Sequence, residues 1–160
     1  MTDLIEVKTA DLAGEALGRA VGMAEGLVLH LEPPQYGNGW RVFAIYRGEA
    51  TERCERYNPW EAWTLGGPLV AKYRIGFGRY SDSFFAVIGL DDIAGDADGL
   101  THLVAAMRAI VSARLGDTVQ VPKELLIDIK KEATWANQPA PETASGPGPV
   151  EATGRGQGAD

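Results

Sequence analysis

The residues best suited to chemistry lie in one short run, Tyr57-Asn58-Pro59-Trp60-Glu61-Ala62-Trp63-Thr64-Leu65-Gly66-Gly67-Pro68-Leu69. It gathers two tryptophans, a tyrosine, two glycines and two prolines within thirteen residues. Aromatic faces stack on planar rings, and a Gly-Gly pair lets main-chain N–H groups come close to an anion or a carbonyl. Pro68 is suited to open a short helix running to Lys72, because proline is tolerated in a first turn. Gly66-Gly67 would then aim N–H groups at a helix start, where anions are favoured. Tyr57, Asn58, Trp60, Trp63, Gly66 and Gly67 are the candidate ligand contacts on this loop. The competing use is structural: Trp63 fills the core and the glycines turn the chain. The run is no P-loop, since no Gly-Lys-Ser/Thr follows.

Two further candidates come from the segment after Gly99. Leu100, Leu103, Val104, Met107, Ile110, Val111 and Leu115 recur at helical spacing and predict an amphipathic helix over 100–115, stopped by Gly116. Thr101 suits its cap, with a ligand contact as a second use. At about 100° per residue, Arg108 falls on the flank of the apolar stripe beside Val104 and Leu115. From there a guanidinium can grip a phosphate or carboxylate, or it can form a buried ion pair or snorkel to solvent.

Other chemistries find little support. His30 and His102 are the two histidines, with no His-x-x-x-His or Cys-x-x-Cys spacing, so no metal site is expected. Asp91, Asp92, Asp96 and Asp98 are acidic but not in EF-hand order, which suggests a solvated loop. Cys54 has arginines nearby but no indicated base, and Ser81 and Ser83 lack a nucleophile-elbow context. No catalytic residue and no cofactor are therefore assigned. The net charge of −7 and the lack of a dense basic run argue against a nucleic-acid polymer as partner. One cysteine excludes an internal disulfide framework and fits a reducing compartment. The start of the chain shows no basic region followed by an apolar core, so no signal peptide is expected. No apolar run approaches the roughly 20 residues of a membrane span. A cytoplasmic location is the expectation, and a homo-oligomer is compatible with it.

The elements that must position these residues read as α+β: a small antiparallel sheet packed with two main helices, long loops, and a tail. Leu4–Lys8 alternates apolar and polar residues like a strand. Thr9 is placed to cap a helix with Asp11 in its first turn, and Leu12, Ala13, Ala16, Leu17, Ala20, Val21 and Ala24 carry its apolar face, ended by Gly26. Many of these residues are small, so another element can approach closely. Leu27–Leu31 and Trp40–Tyr46 suit a hairpin. Residues 49–56 are charged and expected to be exposed. Arg74–Phe77 and Ser83–Ile88 are strands across a turn near Gly78, 91–98 is an acidic loop, and 119–121 is extended. Residues 1–135 make one domain of ordinary size. From Asn137 to Asp160 the chain holds four prolines, five glycines and, alanines apart, one apolar residue, Val150. Such a composition cannot offset backbone entropy of about 1–2 kcal/mol per residue, so 136–160 is expected to be disordered.

Three blocks resemble the NinX-like family, small proteins of tailed phages and prophages. The first is Val7-Lys8-Thr9-Ala10-Asp11-Leu12 with Gly14, Ala16-Leu17, Ala20-Val21 and Glu25-Gly26. The second is Tyr57 with Trp63 and Gly66-Gly67-Pro68-Leu69. The third is Leu103 with Ala105-Ala106-Met107-Arg108, then Val111, Leu115-Gly116-Asp117, Val119, Val121-Pro122 and Glu124-Leu125. The chain departs from the family pattern at Asn58-Pro59-Trp60-Glu61-Ala62, where Ser and Asp usually precede the central Trp, and at His102, where Pro is usual. The resemblance implies a phage accessory protein. With the aromatic loop, it leads to the expectation of a non-catalytic binder that sequesters a small polar or nucleotide-like ligand, such as a host defence signal. The alternatives are a modulator docking on a host protein and a nucleotide-processing enzyme.

The tail expectation has a direct check. Deleting residues 137–160 should leave the cooperative melt unchanged; a midpoint lower by several degrees would mean that the tail docks.

Overall fold

A computed structural model describes residues 3–127 and 129–130. The strand β1 (Leu4–Lys8) is followed by a 3-10 turn (Thr9–Asp11) and helix α1 (Gly14–Ala24). Next come β2 (Val28–Glu32), β3 (Arg41–Arg47) and β4 (Glu52–Arg56), then helix α2 (Trp63–Lys72). The strands β5 (Ile75–Arg79), β6 (Phe84–Ile88) and β7 (Asp96–Gly99) precede helix α3 (His102–Leu115), strand β8 (Thr118–Pro122) and a 3-10 turn (Lys123–Leu125). The α+β class is as expected, but the strands form separate small antiparallel sheets: β1–β8, β2–β3–β4 and β5–β6–β7. The proposed tail, 136–160, lies outside the described residues.

Helix α3 is the centre of the fold. It packs on α1, α2, β6, β7 and β8. The sequence pattern suggested an apolar stripe with a solvent face. Instead Leu103, Ala105, Ala106, Met107, Arg108, Ala109, Ile110 and Val111 are all buried. The alanines that dilute the stripe are what let neighbours close on every side. Leu100 and Leu115, counted in the stripe, are exposed. The helix begins with Thr101, whose hydroxyl accepts from the Val104 N–H at 3.1 Å, and stops at Gly116 with φ of +94°.

Arg108 is 8% exposed. Its Nε donates to the Leu12 carbonyl at 2.8 Å and its Nη1 to the Asp98 carbonyl at 3.0 Å. The guanidinium therefore joins the entry of α1 and strand β7 to the central helix. Of the two uses open for Arg108, the geometry favours structure.

Helix α1 approaches its neighbours through small residues. A Cβ on Gly22 would stand 2.7 Å from Leu29 Cδ2, and one on Gly18 would overlap the Trp60 ring. Thr9 does not cap this helix. Leu12 and Ala13 run extended and buried into the core, so the cap position falls to Ala13. Thr9 instead donates its hydroxyl to the Gly116 carbonyl at 2.6 Å and its N–H to the Asp117 carbonyl at 2.8 Å, tying β1 to the end of α3. The far ends of the helices meet at Tyr73. Its hydroxyl donates to Glu25 Oε1 at 2.5 Å and accepts from Arg114 Nε at 3.1 Å, while Lys72 Nζ donates to Glu25 Oε2 at 2.5 Å. Burial and the Glu25 bond push the Tyr73 phenol above its usual pKa.

Two strands were not foreseen. Residues 52–56 are exposed, as expected of their charge, yet they pair with β3 as an edge strand. Charged edges discourage further pairing. Asp96–Gly99 pairs with β6, although 91–98 was read as a loop. Its inward positions are Ala97 and Gly99, too small to register as hydrophobic alternation. A Cβ on Gly99 would lie 2.5 Å from the Ala105 N, so only glycine lets this strand close on α3.

Met107→Asp should abolish the cooperative melt, since it buries an unpartnered charge at the centre of the core. Arg108→Ala should also destabilise, by about 1–3 kcal/mol for each carbonyl left without a donor. A melt for Arg108→Ala indistinguishable from the parent would contradict this structural role.

Candidate functional site

Helix α2 begins five residues before Pro68, and this rearranges the expected loop. Ala62 is the cap, Gly66 N–H donates to the Ala62 carbonyl at 2.8 Å, and Pro68 sits inside the helix. Gly66 and Gly67 are therefore helical, and the Gly66 N–H is occupied rather than aimed at an anion. Gly66 has a packing role. A Cβ there would stand 2.5 Å from the Pro59 carbonyl oxygen and 2.6 Å from Leu103 Cδ2. A bare backbone at this point lets α2, the Pro59 turn and α3 come together.

That approach creates a groove. It has a volume of about 340 Å³ and is lined by Trp60, Glu61, Trp63, Thr101, His102, Leu103 and Val104. Trp60, Trp63 and Thr101 were candidates from the sequence, and the fold brings these three together. Trp63 is 56% exposed, so it is not core. Trp60 is half-buried, wedged over Gly18. Asn58 stands behind the groove, with its Nδ2 donating to Glu61 Oε1 at 2.8 Å. The remaining candidates are placed elsewhere. Tyr57 is buried in the core, where desolvation, then Glu25, Tyr46 and Tyr73, push its phenol far above the usual range. Arg108 is engaged as described, Gly66 packs at the helix crossing, and Gly67 lies half-buried on α2.

Glu61 and His102 were not on the candidate set, although Glu61 sits between the two tryptophans in sequence. His102 opens α3, and its ring lies against Phe84 at 4.0 Å and edge-on to Phe77 at 5.1 Å. Glu61 belongs to a chain of charges. Arg56 Nη2 lies 3.7 Å from Glu61 Oε1 and 2.5 Å from Glu15 Oε1. Glu15 is buried on α1 and also accepts from the Val42 N–H at 2.8 Å. The groove therefore has two aromatic faces, one carboxylate held from behind, and the starts of two helices. The first N–H groups of α2 and α3 lack intrahelical partners and carry the positive end of each helix dipole.

A second groove, of about 570 Å³, is lined by Lys8, Thr9, Asp96, Asp98, Ser112 and Asp117 among others. Among the described residues no group of three His, Cys, Asp or Glu side chains is placed to hold a metal ion. No helix among them is long and apolar enough to cross a membrane.

The family model described as Bacteriophage P22, NinX matches residues 8–114. This span contains α1, the groove and nearly all of α3. No curated protein matches the chain.

The two adjacent glycines should separate sharply on substitution. Gly66→Ala should lower the melting midpoint, because its Cβ meets backbone at Pro59. Gly67→Ala should raise stability by about 0.5–1 kcal/mol, since it adds helix propensity and its Cβ meets only the Trp63 ring edge, at 3.9 Å. Equal effects at both positions would count against the close approach at Gly66.

Proposed function

The chain belongs to the bacteriophage P22 NinX family, and from that premise we propose that it is a non-catalytic accessory protein that sequesters a small nucleotide-type ligand. A signal molecule of host defence is the kind of ligand such a protein would withhold. The observation that carries the reading is the convergence of Trp60 and Trp63 with the starts of α2 and α3 around one groove. A planar base would lie on the exposed Trp63 face, and its phosphate would approach the positive end of a helix dipole. No Lys or Arg lines the groove, so stacking and main-chain donors would supply the binding. A second reading is docking on a host protein, favoured by the exposure of Trp63, since tryptophan is a common interface anchor.

Tryptophan fluorescence should respond to a cognate nucleotide. Trp63→Ala should weaken binding by about 1–3 kcal/mol, roughly 5- to 150-fold in Kd, with the fold intact. Trp60→Ala is the poorer probe, because it opens a void over Gly18. The ligand should be recovered chemically unchanged after heat denaturation. A shifted mass would replace sequestration with catalysis. Silence across nucleotides, with co-purification of a host protein lost on Trp63→Ala, would favour docking.

A further inference from the structure

Resting on the nucleotide reading above, we infer that Glu61 selects the base, and that the base is one offering two adjacent N–H donors, a guanine-type edge. Glu61 lines the groove between the two tryptophans. Its Oε1 is fixed by Asn58 Nδ2 at 2.8 Å and faces Arg56 Nη2 at 3.7 Å. Its Oε2 has no protein partner among the described residues. Arg56 is itself held by Glu15, which is anchored on the Val42 N–H. A surface glutamate would ordinarily sample many rotamers. This one accepts from Asn58 at Oε1, which leaves Oε2 and the second lone pair of Oε1 for a ligand.

An ionised carboxylate only accepts hydrogen bonds, at two oxygens a fixed distance apart. It therefore matches an edge that presents two donors side by side. Guanine offers N1–H beside the N2 amino group. Hypoxanthine offers N1–H alone. Adenine and cytosine place a ring acceptor next to their amino group, and uracil flanks its N–H with carbonyls, so each sets an acceptor against the carboxylate. Mismatched acceptors leave desolvated groups unpaired, which is how polar sites discriminate strongly. Arg56 and Asn58 are positioning residues in this scheme; they do not touch the base. Glu61 also precedes the start of α2, where a negative charge favours the helix. That role alone would alter stability but not the order of base preference.

The test is a titration of the full chain with GMP, IMP, AMP and UMP, read by tryptophan fluorescence and calorimetry, with the phosphate held constant across the series. The parent protein should bind GMP most tightly, IMP less, and AMP and UMP least, with roughly 10- to 100-fold between GMP and AMP. Glu61→Gln keeps size and fold but turns one acceptor into a donor. It should weaken GMP and strengthen AMP, since a carboxamide pairs an acceptor with a donor as adenine does. Asn58→Ala, which releases Oε1, should shrink the GMP-to-AMP ratio. If nucleotides bind but without a preference for GMP, or if Glu61→Gln leaves the order intact, the assignment of Glu61 falls and the nucleotide reading stands. If none of the four probes binds the parent protein, the nucleotide reading falls and this inference with it.

Discussion

The structure depends on a helix, α3, whose central stretch is almost wholly buried and still carries a charge, Arg108. Between Leu103 and Val111, Val104 alone is partly exposed, so neighbours must reach α3 closely and each polar group must find a partner. Ala105, Ala106 and Ala109 meet the first demand by keeping the surface of the helix shallow. Arg108 meets the second by donating to the carbonyls of Leu12, in the extended entry to α1, and Asp98, on the edge strand β7. One side chain thus fixes the entry to α1 and the position of β7, and through β7 the sheet that holds Phe84 beneath His102. The buried charge is stable because backbone carbonyls receive its donors.

The groove is a by-product of the same packing. The Pro59 turn and the Gly66 backbone close on Leu103 because no Cβ intervenes, and this brings the first turns of α2 and α3 side by side. Trp60 is locked by the small surface of α1 at Gly18, whereas Trp63 is left open to solvent. One tryptophan is therefore a wall and the other a free face.

Much of this was legible in the sequence where the signal was local. The Thr101 cap, the Gly26 and Gly116 stops and the β2–β3 hairpin follow from short-range chemistry, and they stand where the pattern put them. The features that escaped depend on tertiary contacts. Pro68 marked a helix start by its lack of an N–H, yet packing at Gly66 extends the helix toward Trp63 and carries the proline inside. Thr9 had the chemistry of a cap, but burial of Leu12 and Ala13 moved the start of α1 and left Thr9 to bridge to Gly116. Asp96–Gly99 had the alternation of a strand without the hydrophobicity that makes alternation visible. For the candidate site, the aromatic residues stand out in the sequence, and the fold unites Trp60, Trp63 and Thr101 around one groove. Glu61 was passed over because a lone carboxylate in a loop has no distinguishing pattern; its significance lies in Arg56 and Glu15, five and forty-six residues away in sequence.

That chain of charges connects the core to the groove in a particular direction. Glu15 is buried, and a buried carboxylate tolerates little displacement of the groups that compensate it. Arg56 is therefore held by the demands of the core on one side. Its position relative to Glu61 is then a consequence of folding rather than of ligand binding. Together with the Asn58 bond, this gives the rim carboxylate two fixed neighbours although its side chain is 55% exposed. Under the function proposed above, the arrangement would let an acidic groove accept an anionic ligand. Arg56 offsets the charge of Glu61 from behind, and the helix starts present positive dipole ends to the groove. If the proposed ligand binds here, the carboxylate would act as a directional acceptor while the helix starts receive the phosphate.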